Sequence, residues 1–405
     1  MKDSGIDFLD SIYLKYISSR NIKSNVLVRD STLDDKYPFF TSGESVRTYK
    51  DYNVNGENLF IATGGFANIK YYNREASYST DVLSLKISNN YITKFIYYVL
   101  ISEKENMNKL MFKGQGLKHL DIYEFGKIFI PNISLDEQKK IADYLDDKTD
   151  QIDSLIENIK KKIELLEELR SALINQVVTK GLDPNVEIKD SGIDWIGEIP
   201  KHWRISKIKY LSSIISKGTT PSTIGEQLID SVDVRYLKSE NIVDWNLNKE
   251  PQYYISKETN ELIKRSKLKN HDVLVVIAGA MIGKTAIMKK DFLPANTNQA
   301  VSFIRPLETN YSNLIYFWMQ ANYMKILIKE QSVVSAQPNL SMENLGNFYI
   351  TLPQLEEQKK IADYLYDKTE KTDSIIKNHQ KKIELLEEQR SALISNVVTG
   401  KIRVS

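Results

Sequence analysis

The residues with the most chemical promise are AGAMIGKT at 278–285, which fit the relaxed phosphate-loop pattern of a small residue, four residues, then Gly-Lys-Thr. Such a loop needs its preceding strand to feed a long helix whose first amides cradle the phosphates. The run DVLVVI supplies the strand, but only AIMKKDFL separates Thr285 from Pro294, too little for that helix. Ala278 also stands where the first glycine belongs, and no apolar run ending in a magnesium-binding aspartate follows. A hairpin turn through Gly279 and Gly283, presenting Lys284 and Thr285, is the better reading. Its counterpart is ATGGFANIK at 62–70, where Gly64 and Gly65 precede Lys70. The segment DPNVEIK at 183–189 loosely resembles a nuclease carboxylate–lysine pattern, but it lies between repeats and lacks strand context. Nucleophile-elbow, zinc-protease, amino-methyltransferase and dinucleotide fingerprints are absent. With no cysteine, thiol nucleophiles and zinc ribbons are excluded. The four histidines, none within a helical turn of another, make a histidine metal site improbable. No catalytic residue, metal or cofactor is expected in this chain.

What remains is a set of glycine-flanked loops carrying residue types that read nucleic acid. Between residues 10 and 134 these are Thr41, Ser42, Lys70, Tyr71, Tyr72, Asn73, Arg74, Lys113, Gln115 and Lys118. Between 197 and 354 they are Lys217, Thr219, Thr220, Lys238, Asn241, Lys284, Thr285, Asn296, Asn298, Gln299, Gln337 and Asn339. Lysine and arginine neutralise phosphates and contact guanine, while asparagine and glutamine pair with adenine in the major groove. The net charge of +2 conceals a small basic excess in these segments, 16 Lys/Arg against 13 Asp/Glu in the first and 19 against 14 in the second. That balance permits an anionic partner.

The elements that hold these loops are organised by a repeat. Residues 135–182 and 355–402 match at 33 of 48 positions at a fixed offset of 220. A shorter repeat, KDSGIDFL at 2–9 and KDSGIDWI at 189–196, precedes each variable segment. The 405 residues exceed what one core usually supports, about 250–300. The predicted order is therefore 1–134, a first variable domain; 135–182, a helix; 183–196, a linker; 197–354, a second variable domain; and 355–405, a second helix. Both variable segments read as mixed, strand-rich α+β domains of one fold with different surfaces.

Both long repeats are free of proline and glycine until near Gly181 and Gly400, and rich in Lys, Glu, Leu and Ile. At ~1.5 Å per residue each helix spans roughly 65–70 Å. Apolar residues at Ile141, Leu145, Ile152, Leu155, Ile159, Leu166, Leu169 and Leu173 follow a coiled-coil spacing, and Ile156, Ile163 and Ile174 widen the stripe. The second keeps Ile361, Leu365, Ile375, Leu386 and Leu393 but places Thr372, His379 and Gln389 where the first is apolar. Two incomplete, complementary seams predict that the helices pack on one another. The first residues carry no secretory pattern, and the longest apolar stretch, 273–280, is far short of the ~20 residues of a membrane span, so a cytoplasmic protein is expected.

With the repeats in view, the chain resembles the specificity subunit of bacterial type I restriction–modification enzymes. The resemblance rests on EQKKIADYL and RSALI-x-x-VVT in both helical regions, two variable blocks, and KDSGIDWIGEIPKHW at 189–203 between the halves. One departure is that KDSGIDFL at 2–9 is not followed by the GEIPKHW of 197–203. The resemblance implies two target-recognition domains, each binding one half of a split DNA sequence. It implies an antiparallel coiled coil that separates them, with pseudo-two-fold symmetry. It also implies two methyltransferase (modification) subunits as partners, with two motor–nuclease subunits able to join. S-adenosylmethionine, ATP and magnesium would belong to those partners, which would methylate adenine. A coiled-coil scaffold joining two protein-binding domains is the alternative, and a nucleotide hydrolase built on 278–285 a distant third.

Overall fold

The computed structural model describes residues 11–332 and 339–404, so Gln337 and the short repeat at 2–9 lie outside the described residues. The chain divides into two compact units, 1–160 with 379–405 and 161–378. Each unit thus takes one variable segment and part of both long helices.

In the first unit β1 (Ser11–Tyr13), β2 (Ser18–Arg20), β3 (Tyr37–Phe40), β4 (Arg47–Tyr49), β5 (Asn58–Ala62), β6 (Ile69–Tyr72), β7 (Ser77–Tyr78) and β8 (Val82–Ile87) precede helix α1 (Thr93–Ser102) and β9 (Phe129–Pro131). They form a four-stranded antiparallel sheet ordered β2-β8-β5-β6, a three-stranded sheet β4-β3-β7 and the pair β1-β9. The apolar run of β5 at 59–62 conceals a period of two. Leu59 and Ile61 join Phe95, Ile96 and Val99 of α1, while Phe60 joins Phe40 and Tyr78 on the other face. A strand covered on both faces needs apolar residues at every position.

The second unit repeats this plan. After α2 (Leu135–Lys180) come β10 (Arg204–Lys207), β11 (Ser212–Lys217), β12 (Val234–Leu237), β13 (Tyr254–Ile255), β14 (Val273–Val276), β15 (Thr285–Ile287), β16 (Ala295–Thr297) and β17 (Val301–Pro306). Then follow α3 (Asn310–Gln320), α4 (Asn322–Ser332), β18 (Tyr349–Leu352) and α5 (Leu355–Val398). The sheets are β11-β17-β14-β15, β13-β12-β16 and β10-β18, each with the strand directions of its counterpart. Val273 and Val275 pack with Ile315, Trp318 and Met319, and Leu274 and Val276 with Leu237 and Ala295. α3 and α4 are separate helices because Ala321 between them leaves the helical region. The expected linker, 183–196, ends in core at Ile196; just beyond it Ile199 and Trp203 are buried too, and the Trp203 indole donates to Glu357 at 2.8 Å.

Each long helix starts and stops as its sequence dictates. Ser134 and Glu137 form a reciprocal cap at the start of α2, with both backbone amides bonded at 3.2 Å. The glutamine of each EQKKIADYL is buried and donates to the chain just before its helix, Gln138 to the Ile133 carbonyl and Gln358 to that of Pro353. Gly181 and Gly400 adopt left-handed backbone past the last turns, where a Cβ would be strained. In the first unit Ile141, Ala142 and Leu145 share a core with Ile394, Val397 and Val398, and further along Asp153 pairs with Arg390 at 3.0 Å. In the second unit Ile361, Ala362 and Leu365 share a core with Ile174, Val177 and Val178, and Asp373 pairs with Arg170 at 2.7 Å. Residue numbers rise on one helix as they fall on the other, so the helices are antiparallel within each unit. At the 220 offset the two sets of residues are the same positions exchanged.

The seam itself is corrected in phase. Ile141, Leu145, Ile159, Ile361, Leu365 and Leu386 are buried and Ile152, Leu166, Leu173 and Leu393 half-buried, whereas Leu155, Leu169 and Ile375 are exposed. Inward positions run Leu145, Thr149, Ile152, Ile156, Ile159, Ile163, Leu166, Arg170, in alternating steps of four and three. Thr149 and Arg170 hold seam positions, and counting apolar residues alone slips one residue at each. Thr149 satisfies its hydroxyl within the helix, donating to the Leu145 carbonyl at 2.7 Å, as Thr369 does to Leu365.

Candidate nucleic-acid interface

One end of the first unit's large sheet gathers three of the glycine-flanked segments. The β5–β6 turn (63–68), the β7–β8 connection (79–81), the segment after β3 (41–43) and the loop 113–119 meet there. Ser42 and Thr63 hydroxyls both donate to the Asp81 carbonyl, at 2.7 and 2.8 Å. Asn68 donates to the Gly43 carbonyl at 2.8 Å, and the amide of Gly65 to the Lys118 carbonyl at 2.9 Å. They enclose a crevice of about 470 Å³ lined by Thr63, Gly64, Gly65, Thr80, Leu117 and His119, among others. Gln115 and Lys118, on the 113–119 loop, are exposed. So are two apolar side chains that reading for polar types missed, Phe66 (72%) and Leu117 (68%). The aromatic inside ATGGFAN was the available signal.

The other expected residues divide. Lys113 is exposed but paired with Asp121 at 2.8 Å, which raises its pKa through that hydrogen bond and charge. Lys70 turns inward, donating to the Thr41 and Gly43 carbonyls; burial lowers its pKa against the pull of Glu44 and Asp81. Burial raises the Asp81 pKa, but hydrogen bonds from Ser79 and Ser42 outweigh it and leave the carboxylate net lowered. Thr41 is buried and corrected to a loop-shaping role, accepting from the Gly43 amide at 3.2 Å. Tyr71 donates to Glu57 at 2.7 Å and Tyr72 packs on the small core, so both are corrected to structural contacts. Asn73 and Arg74 are exposed, but at the end of β6 away from the crevice.

The second unit builds the same end. The amides of Thr219 and Gly218 donate to the carbonyls of Thr297 (3.0 Å) and Val301 (3.1 Å), and that of Leu340 to Ile277 at 2.8 Å. A Cβ on Gly218 would stand 2.0 Å from the Thr297 oxygen, so only glycine permits this approach. The segment AGAMIGKT is a hairpin turn: Val275 pairs with Thr285 across antiparallel β14 and β15, and Gly279 and Gly283 take positive φ. Gly279 is the register counterpart of Gly65. Because Ala62 and Val276 bond to the carbonyls of Asn68 and Lys284, Lys284 corresponds to Asn68 rather than to Lys70, the second turn being two residues longer.

Gln299 and Asn339 are exposed, and Lys217, Thr219, Thr220, Lys284 and Asn298 partly so. The Asn298 side-chain oxygen is enclosed without a protein partner among the described residues. Lys238 lies over the Tyr253 ring at 3.4 Å. Three expected contacts are corrected because their polar groups are buried and spent internally. Asn241 binds the Lys238 amide and the Pro251 carbonyl, Thr285 the Gly283 carbonyl, and Asn296 the Asn260 side chain and the Thr297 amide. In DPNVEIK, Asp183 accepts from the Asn185 amide at 2.9 Å and Glu187 pairs with Lys201. No group of acidic or histidine side chains that could hold a metal occurs among the described residues.

Two loop-bearing domains of one topology, on helices that each contribute to both, define a duplicated recognition subunit. The family described as "Type I restriction modification DNA specificity domain" matches residues 7–165 and 200–385. The chain is 28% identical over 97% of its length, and 91% of the relative's, to the type I restriction enzyme MjaVIII specificity subunit of Methanocaldococcus jannaschii. It is 24% identical over 87% of its length, and 75% of the relative's, to the EcoBI specificity subunit of Escherichia coli. A solved structure from work on complex assembly and conformational transition of the type I R-M system has the same fold, with a TM-score of 0.68, 14% identity and coverage of 97% and 98% of the two chains. The chain belongs to the type I restriction–modification specificity subunits, the non-catalytic subunits that recognise DNA sequence. Among the described residues no helix is long and apolar enough to cross a membrane.

Proposed function

We propose that the two units each read one half of a split DNA sequence, with the paired helices setting the distance between the halves. Supporting this is the single observation that one loop platform is built twice with different loop residues. Gly65 and Gly279 hold one turn in both units, while Asn68 is exchanged for Lys284 and Asp81 for Ala300. A common frame with unlike tips suits two half-sites, spaced by about one helical turn (~34 Å) or more. Exchanging Arg170–Asp373 for Arg390–Asp153 at the 220 offset gives each unit equivalent helix surfaces, which suits two identical methyltransferase subunits bound to one asymmetric reader. Those subunits would bring S-adenosylmethionine and flip the target adenine. Motor–nuclease subunits, where present, would bring ATP and magnesium, and the assembly would work in the cytoplasm on cellular DNA. Mapping methylated adenines across the genome of cells with and without this chain tests the reading. One bipartite motif should lose its methylation when the chain is removed; an unchanged methylation map would refute it.

A further inference from the structure

A third repeat becomes visible only when the strand registers align the two units. Leu14 and Ile208 occupy one position, each amide bonded to a carbonyl of the strand-entry segment, Ile128 (2.9 Å) and Phe348 (3.1 Å). From there the chain reads LKYISS at 14–19 and IKYLSS at 208–213. The two aliphatic pairs are buried, which core packing explains. Lys and Tyr are not buried: Tyr16 is 69% and Tyr210 65% exposed. In both units the lysine lies over its neighbouring tyrosine ring, at 4.9 and 5.2 Å. A glycine backs each: a Cβ on Gly126 would meet the Lys15 Cβ at 3.3 Å, and one on Gly346 the Lys209 Cβ at 3.4 Å.

Surrounding surface residues have diverged. Tyr13 corresponds to Lys207, Tyr123 to Glu343 and Lys127 to Asn347. Packing does not require an exposed lysine and tyrosine to match when their neighbours do not. Neither lysine has a carboxylate partner among the described residues; Lys127, nearby, is paired with Glu124. Half-site reading does not require them either. Ser18 pairs with Ile87 and Ser212 with Pro306, at the far ends of β8 and β17 from the recognition loops. Five residues at ~3.3 Å each put about 17 Å between the two ends.

We propose that Lys15–Tyr16 and Lys209–Tyr210 are two copies of one docking knuckle, each taking one copy of the same methyltransferase subunit through carboxylates set around an apolar socket for the tyrosine. An exposed tyrosine is a residue type enriched at interface hot spots, and the cation beside it, without a carboxylate of its own, offers a charge for the partner to complement. The groove next to each knuckle, lined by Ser18 and Gly126 in one unit and Ser212 and Gly346 in the other, gives the partner a concave edge. This inference rests on the reading that two such subunits bind.

The test uses the full chain and the purified methyltransferase subunit of its system, with stoichiometry read by native mass spectrometry and affinity by titration. Lys15→Glu with Tyr16→Ala should reduce two bound copies to one. Lys209→Glu with Tyr210→Ala should do the same, and the combination should weaken both sites at least tenfold. Tyr16→Phe and Tyr210→Phe should retain binding, and circular dichroism should be unchanged throughout. Two copies bound with unaltered affinity by the combined variant would overturn the knuckle while leaving the assembly reading intact. No binding by the unaltered chain would overturn both. If the lysine changes instead weaken DNA binding by the chain alone, the knuckle is a phosphate contact and protein docking is refuted.

Discussion

Lys284 and Asn296 were alike as sequence candidates, and they separate cleanly by what their polar atoms already do. Lys284 is partly exposed on the hairpin turn. Replacing it with alanine should leave stability unchanged and weaken DNA binding; losing one phosphate contact lowers the slope of log affinity against log salt by about 1. Titrations at several salt concentrations measure this, and an ATPase assay on the unaltered chain should find no turnover to lose. Asn296 is fully buried, donating to Asn260 at 2.9 Å and accepting from the Thr297 amide at 2.9 Å. Asn296→Ala leaves those partners unsatisfied at a cost of about 1–3 kcal/mol. Urea unfolding should reveal that loss, with DNA affinity per folded molecule little changed.

At the scale of elements, the phase of the long helices decides which substitutions matter. Leu155 and Ile156 are adjacent, yet Leu155 is 40% exposed and Ile156 only 7%. Ile156→Asp buries a carboxylate in the seam and should cost about 3 kcal/mol or more, whereas Leu155→Asp should stay within about 0.5 kcal/mol. Comparing their thermal melts checks the register directly. Arg170 makes a two-pronged pair with Asp373 (2.7 and 3.2 Å) and also reaches Gln320 at 2.8 Å. Arg170→Ala strands these acceptors in a half-buried seam and should cost about 3 kcal/mol, the low end for a buried pair because Asp373 is partly solvated. Arg390→Ala, breaking the more exposed Asp153 pair, should cost less.

For the whole molecule, the prediction concerns modularity. The first unit's loops belong to its own sheets and its own core, so replacing 10–134 with the corresponding block of another specificity subunit should change one half of the methylated motif. Sequencing methylated adenines before and after the exchange reads the outcome, and changes in both halves would contradict independent reading. The short repeat at 189–196 and the residues just after it belong to the second unit, through Ile196 in its core and the bond from Trp203 to Glu357, so a boundary placed after residue 203 should destabilise that unit.

The sequence by itself determined the duplication, the two long helices with their glycine stops, and the hairpin nature of AGAMIGKT. Each is written in local physics: repeat spacing, the absence of proline and glycine, and a turn too short to feed a helix. It also marked glycine-flanked polar stretches that the fold gathers at one end of each large sheet, since such stretches end strands. Tertiary structure decided which polar side chains remain free. Asn241 and Asn296 resemble Gln299 and Asn339 in type and differ in being buried against partners that the folded chain brings to them, Pro251 and Asn260. Thr285 is buried and spends its hydroxyl on the Gly283 carbonyl of its own turn. The seam phase followed the same rule. Thr149 and Arg170 hold inward positions because a threonine can bond its own helix and an arginine can find an aspartate on the other helix, and that pairing exists only once the two helices meet.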